Sequence, residues 1–203
     1  MKVITSHGPL CQHYMDRIQE TIDKALLCHH RTLAVRVDLR LPDVDIDTDM
    51  DAATDPACIS RFIESLKAQI KADLRRKIKT NKQVHSCVLR YVWVKEFSQE
   101  GKKHYHVLLL LNKHAYGFLG DYTKESGNLA CMISRAWARA LRVAYPENQS
   151  LTYFPDKPVC YLAYQKEFSF NAYTELLYRS SYLAKFKSKS IGPDERSFGC
   201  SQY

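Results

Sequence analysis

The sequence predicts an α+β fold in which an antiparallel sheet carries helices. Three observations lead there. The segments run helix, strand, helix, hairpin, helix, strand, helix, without the regular alternation of a parallel doubly wound sheet. The two longest strand-like runs, 84–97 and 104–111, are joined by a short polar turn, the arrangement of a β-hairpin. The 203 residues are 45% hydrophobic and 26% charged with only seven Gly and seven Pro, an ordinary globular composition for which a single domain over 1–203 is the default.

Each element has its own reason. Met15, Ile18, Ile22, Ala25 and Leu26 recur at steps of three and four among charged residues, which predicts an amphipathic first helix. From 32 to 41, Leu33, Val35, Val37, Leu39 and Leu41 take one face while Arg36, Asp38 and Arg40 take the other; this is a half-buried strand, ended by Pro42. The connection that follows carries Asp43, Asp45, Asp47, Asp49, Asp51 and Asp55. Its registers lack both the glycine and the closing glutamate of a calcium loop, so it reads as a solvated acidic loop. Asp55-Pro56 opens a long helix whose apolar stripe, Ile59, Phe62, Ile63, Leu66, Ile70, Leu74 and Ile78, extends to about Thr80. Its outer side bears Lys67, Lys71, Arg75, Arg76, Lys77 and Lys79, either a solvated face or a contact for backbone phosphates. The hairpin comes next and should be central to the sheet. Leu129, Met132, Ile133, Ala136, Trp137, Ala140 and Leu141 then make a third helical stripe, 158–163 suits a further strand, and a last helix spans 171–185 before a basic tail.

Charge and composition narrow the function. Thirty Lys and Arg against twenty-two Asp and Glu leave +8 with His neutral, a surplus that suits a polyanion, nucleic acid first. No run approaches the roughly 18 apolar residues of a membrane helix. The opening residues have no apolar stretch behind their lysine, so a cytoplasmic protein is expected. Seven cysteines, never in a C-x-x-C pair, read as reduced thiols without a structural zinc.

Two clusters carry chemistry. His104 and His106 share one strand face while Tyr105 points to the other. Glu96 joins that face if the hairpin pairs it with His104, or in a nearby register of equal parity. Two imidazoles and a carboxylate suit a divalent cation with positions left open. Satisfied strand histidines are the plainer reading, but imidazoles at the edge of the apolar run 107–111 would be costly without a purpose. In the second cluster Tyr178, Tyr182 and Lys185, at spacings of four and three, fall within about 60° on one helix face, with Leu176, Leu177, Leu183 and Ala184 opposite to hold the core. A phenol of pKa near 10 is a poor nucleophile at neutral pH. A metal on the histidines would polarise a phosphodiester and Lys185 would stabilise phenolate or phosphate charge, giving a phosphotyrosine link to DNA. Two phenols would allow a second strand transfer before the first end is released.

These residues resemble the HUH endonuclease superfamily of rolling-circle replication initiators, relaxases and related transposases, named for a His-hydrophobic-His strand. His104-Tyr105-His106 matches that strand, the spacing from Glu96 through the turn is similar to that of small viral Rep proteins, and Tyr178, Tyr182 and Lys185 are similar to the Y-x-x-x-Y-x-x-K helix of phage and prophage initiators. A nearer likeness is to the inovirus gene-two-like family of prophage proteins. They share a strand like Arg36-Val37-Asp38-Leu39, a hairpin like 92–112 and an ending like Phe198-Gly199-Cys200-Ser201, so the likeness spans most of the chain. The resemblance implies a central antiparallel sheet of about five strands with the tyrosine helix beside the His strand. It also implies Mg or Mn, single-stranded or hairpin DNA as partner, a 5′-phosphotyrosine intermediate with a free 3′-hydroxyl, and a role in initiating replication of a phage, prophage or satellite element. No helicase or Walker segment is present, so unwinding would fall to a host helicase.

Within that picture Tyr182 is the favoured first nucleophile, because it forms the compact Y-x-x-K pair with Lys185; Tyr178 is a second nucleophile or a packing residue. Lys102, Lys103 and Arg179 flank the site as phosphate contacts or as solvated surface. Two other functions fit parts of the pattern. A catalytically idle DNA-binding module for origin recognition or repression would keep the basic surface, and a two-His-one-carboxylate iron oxygenase would use Glu96, His104 and His106 but give the tyrosines no task. The remaining histidines, 7, 13, 29, 30, 85 and 114, read as packing or surface residues.

Overall fold

Alternating side chains on six strands build one antiparallel sheet, seen in a computed structural model that describes residues 8–42, 55–164, 167–186 and 196–202. The strands are β1 (Arg31–Arg40), β2 (Arg90–Phe97), β3 (Lys103–Asn112), β4 (Thr152–Tyr153), β5 (Val159–Ala163) and β6 (Phe198–Cys200). β3 lies between β1 and β2, β6 extends the sheet beyond β2, and β4 and β5 both pair with β1. Among the described residues four α-helices flank it: α1 (Gln12–Cys28), α2 (Cys58–Lys79), α3 (Leu129–Leu141) and α4 (Glu167–Ser180). The α+β architecture is therefore as expected, with one strand more than the five or so anticipated.

The helices divide between the two faces. Leu33, Val35, Val37 and Leu39 of β1 and Tyr105, Val107, Leu109 and Leu111 of β3 pack against α2 and α3, where Phe62 and Trp137 meet edge to face at 5.9 Å. Ala34, Val92, Val94, Leu108 and Leu110 face the other way, onto Ile18 and Ile22 of α1 and Leu176 and Leu177 of α4. β3 is thus buried on both sides, which is why 107–111 is a continuous apolar run rather than an alternating one. Each such Leu or Val contributes about 1.5–3 kcal/mol relative to leaving it exposed.

Local details depart from the sequence reading at four places. Strand β2 begins at Arg90, not at 84. Upstream, the Val88 N–H donates to His29 Nε2 (3.0 Å) and Asn112 Nδ2 donates to the Ser86 carbonyl (2.7 Å), so side chains take the bonds a ladder would make. The last helix runs 167–180, and Ser181–Ala184 form a 3₁₀ turn instead of its continuation. Two contacts end it: the Ser181 hydroxyl donates to the Tyr178 carbonyl (2.6 Å), and residues 184–186 are drawn into a bridge with the chain before α1, through Cys11 N–H to Ala184 O (2.7 Å) and Phe186 N–H to Pro9 O (3.1 Å). The ending Phe198-Gly199-Cys200 is a strand, and its glycine has a physical reason. A Cβ at 199 would stand 2.5 Å from the Trp93 indole, its register partner on β2, while Phe198 stacks on Tyr14 at 4.3 Å. Finally, β4 is only two residues long and carries no pattern of its own. The acidic segment 43–51 lies outside the described residues.

Among the described residues no helix is long and apolar enough to cross a membrane. All seven cysteines are free thiols, Cys28 exposed and the others at least partly buried.

Candidate metal centre

The hairpin register sets the site. β2 and β3 pair with Glu96 opposite His104 and Val94 opposite His106, so glutamate and both imidazoles project from the same face, that of α1 and α4. One ligand atom from each of Glu96, His104 and His106 lies within 4.8 Å of the others, a group that could hold a metal ion. The two imidazole rings stand 4.8 Å apart and nearly perpendicular.

The neighbours orient these rings. His106 Nδ1 lies 2.6 Å from Asp38 Oδ1, its register partner across β1, so Nδ1 carries the proton and donates it to the carboxylate. That places the lone pair on Nε2, which is buried, has no hydrogen-bond partner among the described residues, and lies 3.4 Å from Glu96 Oε2. Two acceptors at that distance repel unless a cation or a proton sits between them. His104 repeats the scheme more loosely, with Nδ1 3.4 Å from the Lys102 carbonyl. The donor set of two imidazole nitrogens and one carboxylate oxygen therefore fits a divalent ion with coordination positions left for other ligands.

Charge follows the same geometry. Burial pushes the Glu96 carboxyl up, but His106 and Lys185 beside it outweigh burial and hold it at about 2. Glu96 is only 1% exposed, and the Lys185 ammonium, 7% exposed, reaches it at 2.9 Å. Burial likewise raises Asp38, and the bonds from His106 and Arg36 bring it below the usual carboxylate range. Burial, then repulsion from His106 whenever that ring is protonated, push His104 down, which favours the neutral form that binds metal.

The phenols separate. Tyr182, on the 3₁₀ turn, packs its ring edge-on to His106 at 5.4 Å, with the Lys185 ammonium 3.7 Å from the ring centroid and the Arg36 guanidinium 5.6 Å away. Tyr178 is 38% exposed on α4, and among the described residues no ring contact joins it to the cluster. The expected common helix face for Tyr178, Tyr182 and Lys185 is not formed, because the helix ends at Ser180; Tyr182 and Lys185 meet through the turn instead. Of the three flanking cations, Arg179 lines the cleft of about 280 Å3 that also receives Arg36 and Tyr182, and donates to the Lys157 carbonyl at 2.5 Å. Lys102 is exposed on the hairpin turn. Lys103 is 8% exposed and, one residue from His104, turns to the α2 face, so it does not flank the cluster.

A family model for the YagK/YfjJ C-terminal domain matches residues 1–201. The chain belongs to this family. Two Escherichia coli K12 proteins resemble it over nearly their whole length: uncharacterized protein YagK, 38% identical over 97% of this chain and 96% of its own, and uncharacterized protein YfjJ, 38% identical over 93% of each. No solved structure matches.

In this YagK/YfjJ domain the residues that sequence reasoning misses are Asp38 and Arg36. Both sit on the polar face of the first strand, where no local pattern assigns them a task, although they lie in the Arg36-Val37-Asp38-Leu39 stretch. Arg36 donates to Asp38 through Nε and Nη2 at 3.1 Å each and so steadies the carboxylate that steadies His106. The visible signal is an acid flanked by arginines on an otherwise apolar strand. The basic side of α2 lies across the sheet from the cluster, and there Lys67 pairs with Glu64, and Arg76 and Lys77 with Asp73. His29 is buried and bonded to the Val88 backbone, and His30 stacks on Tyr164 at 5.4 Å.

Proposed function

We propose that this protein is a metal-dependent enzyme of the HUH endonuclease type. In this reading it nicks single-stranded DNA and transfers strands through Tyr182, and so initiates replication of a phage, prophage or satellite element. The observation that carries the reading is the packing of one phenol and one ammonium against a Glu-His-His cluster, with two guanidinium groups in the cleft beside that phenol. An iron oxygenase has no need of those cations beside its ligands; a phosphodiester does.

Glu96, His104 and His106 would hold Mg or Mn, which when bound supplies a positive charge to polarise a non-bridging phosphate oxygen. The rest is the work of the chain. Arg36 and Arg179 line the cleft beside Tyr182 and serve as donors to the phosphates on either side of the bond to be cut. Tyr182 Oη attacks phosphorus and gives up its proton as the new P–O bond forms; the bond from phosphorus to the 3′-oxygen breaks, and that oxygen leaves and takes up a proton. Lys185 stands over the ring and stabilises the developing phenolate. Reversal of the same steps with another 3′-hydroxyl rejoins the strand. One nucleophile suffices for this, and Tyr178 is left as a surface residue.

The test uses labelled single-stranded oligonucleotides tiling the DNA around the protein's own gene, with Mn2+. Wild type should give an SDS-resistant adduct that Tyr178→Phe retains and Tyr182→Phe loses. No adduct with wild type, or an adduct that survives Tyr182→Phe, overturns the mechanism; salt-sensitive binding indifferent to chelator would leave a DNA-binding module.

A further inference from the structure

A second pocket, of about 470 Å3, opens at the sheet edge formed by β4 and uses none of the groups above. Its lining includes Ser134 of α3 and Thr152 of β4, 2% and 8% exposed. The hydroxyl oxygens of both are sealed from solvent and have no hydrogen-bond partner among the described residues. Serine within a helix commonly returns its hydroxyl to a carbonyl one turn back, and Ser134 does not. With no accessible surface of their own, these oxygens lie behind the pocket wall, and a ligand meets the side chains in front of them.

The rest of the lining says what shape that ligand has. Tyr122 and Phe154 stand 5.5 Å apart, and Tyr153 lies exposed at the rim with the Arg40 guanidinium 4.8 Å over its ring. Aromatic walls with a cation at the rim suit a flat heterocycle attached to a phosphate. Gln149 gives its Nε2 to the Tyr122 and Lys124 carbonyls (2.5 and 3.1 Å), which fixes its amide plane, and Asp156 adds a carboxylate acceptor.

Position supports the same conclusion. Tyr153 pairs with Asp38, and Asp38 pairs with His106, so the rim lies two strand spacings, about 10 Å, from the metal centre. Asp156 lines both this pocket and the cleft of Arg36, Arg179 and Tyr182, so the two cavities adjoin. We infer that the pocket receives an unstacked base of single-stranded DNA one or more nucleotides from the cleavage position, and that it favours bases with an exocyclic amino group over thymine. The inference rests on the DNA-nicking reading for its substrate class. The amino preference comes from the acceptors: Asp156 takes an amino hydrogen as carboxylates do from cytosine, whereas thymine presents carbonyls to it.

The experiment uses full-length protein carrying Tyr182→Phe, in EDTA, with fluorescently labelled dA12, dC12 and dT12 read by anisotropy. dA12 or dC12 should bind about tenfold or more tighter than dT12. Asp156→Ala should bring that ratio below about threefold without weakening dT12, and Tyr153→Ala should weaken all three about tenfold. Thermal unfolding of each variant confirms the fold. Equal binding of the three oligonucleotides by the unaltered pocket, or a preference that survives Asp156→Ala, overturns the inference. With neither metal nor reactive phenol present, the two readings fail separately: no preference but intact adduct formation removes the pocket alone, and preference without any adduct removes the nicking alone.

Discussion

Asp38→Asn is the sharpest test of the metal centre, because it leaves the three ligands untouched. The change keeps the shape of the side chain and removes the charge that faces His106 Nδ1 at 2.6 Å. A carboxylate that holds a ligating imidazole from behind fixes its tautomer and raises its basicity, and losing one costs 10–100-fold in metal affinity, or about 1.4–2.7 kcal/mol. The upper part of that range applies here, since the bond is short and charge-assisted, and since a neutral amide in place of the carboxylate would also weaken the two bonds from Arg36 that hold the pair in place. The assay is titration with Mn2+, free ion followed by electron paramagnetic resonance, against wild type, Asp38→Asn and Glu64→Gln, the last an exposed carboxylate on the far side of the sheet. Asp38→Asn should raise Kd by several tens of fold and Glu64→Gln should leave it alone. Equal affinity for wild type and Asp38→Asn would show that the carboxylate does not set the imidazole, and the assignment of Nε2 as ligand would fall with it.

Three further outcomes are expected. Lys185→Met removes the ammonium that faces a Glu96 carboxylate of 1% exposure, so in EDTA it should destabilise by about 3 kcal/mol in urea unfolding; saturating Mn2+ should raise the melting temperature of the variant more than that of wild type, and no such gain would mean the cluster takes no cation. Gly199→Ala pushes a methyl group against Trp93 and should cost roughly 1–3 kcal/mol, read from the urea midpoint; an unchanged midpoint would refute the packing argument. Burial raises the Asp73 carboxyl, but Lys77, Tyr116 and Arg76 outweigh it and hold it below its ordinary value. Its contribution is therefore complete above the unfolded value of about 3.9 and is lost as pH falls through the folded one. Wild type should exceed Asp73→Asn in stability at pH 7 and converge with it in acid, and a gap independent of pH would contradict this.

What could be read from the sequence depended on distance along the chain. The Glu96–His104 pairing was legible because a short turn ties the two strands and parity does the rest. The helical stripes of α1, α2 and α3 were legible because burial repeats every three or four residues. Asp38 was not, since its partner is 68 residues away and no local pattern fixes the β1–β3 register. The end of α4 was hidden for the same reason: periodicity continues through Tyr182 and Lys185, while the bridge that stops the helix comes from Leu10. Two-residue β4 is below the length at which alternation means anything, and the strand 198–200 declares itself only once Trp93 is seen across from its glycine.

The bridge between Leu10 and Lys185 makes the first described residues part of the candidate metal centre's scaffolding. Pro9 and Cys11 grip the backbone on either side of the lysine that covers Tyr182. Trimming the chain back to Gln12, or pulling on it with a rigid fusion, would release that lysine without altering a single side chain around the histidines. Expression designs for this protein should accordingly leave the segment before α1 intact and carry any tag on a flexible spacer.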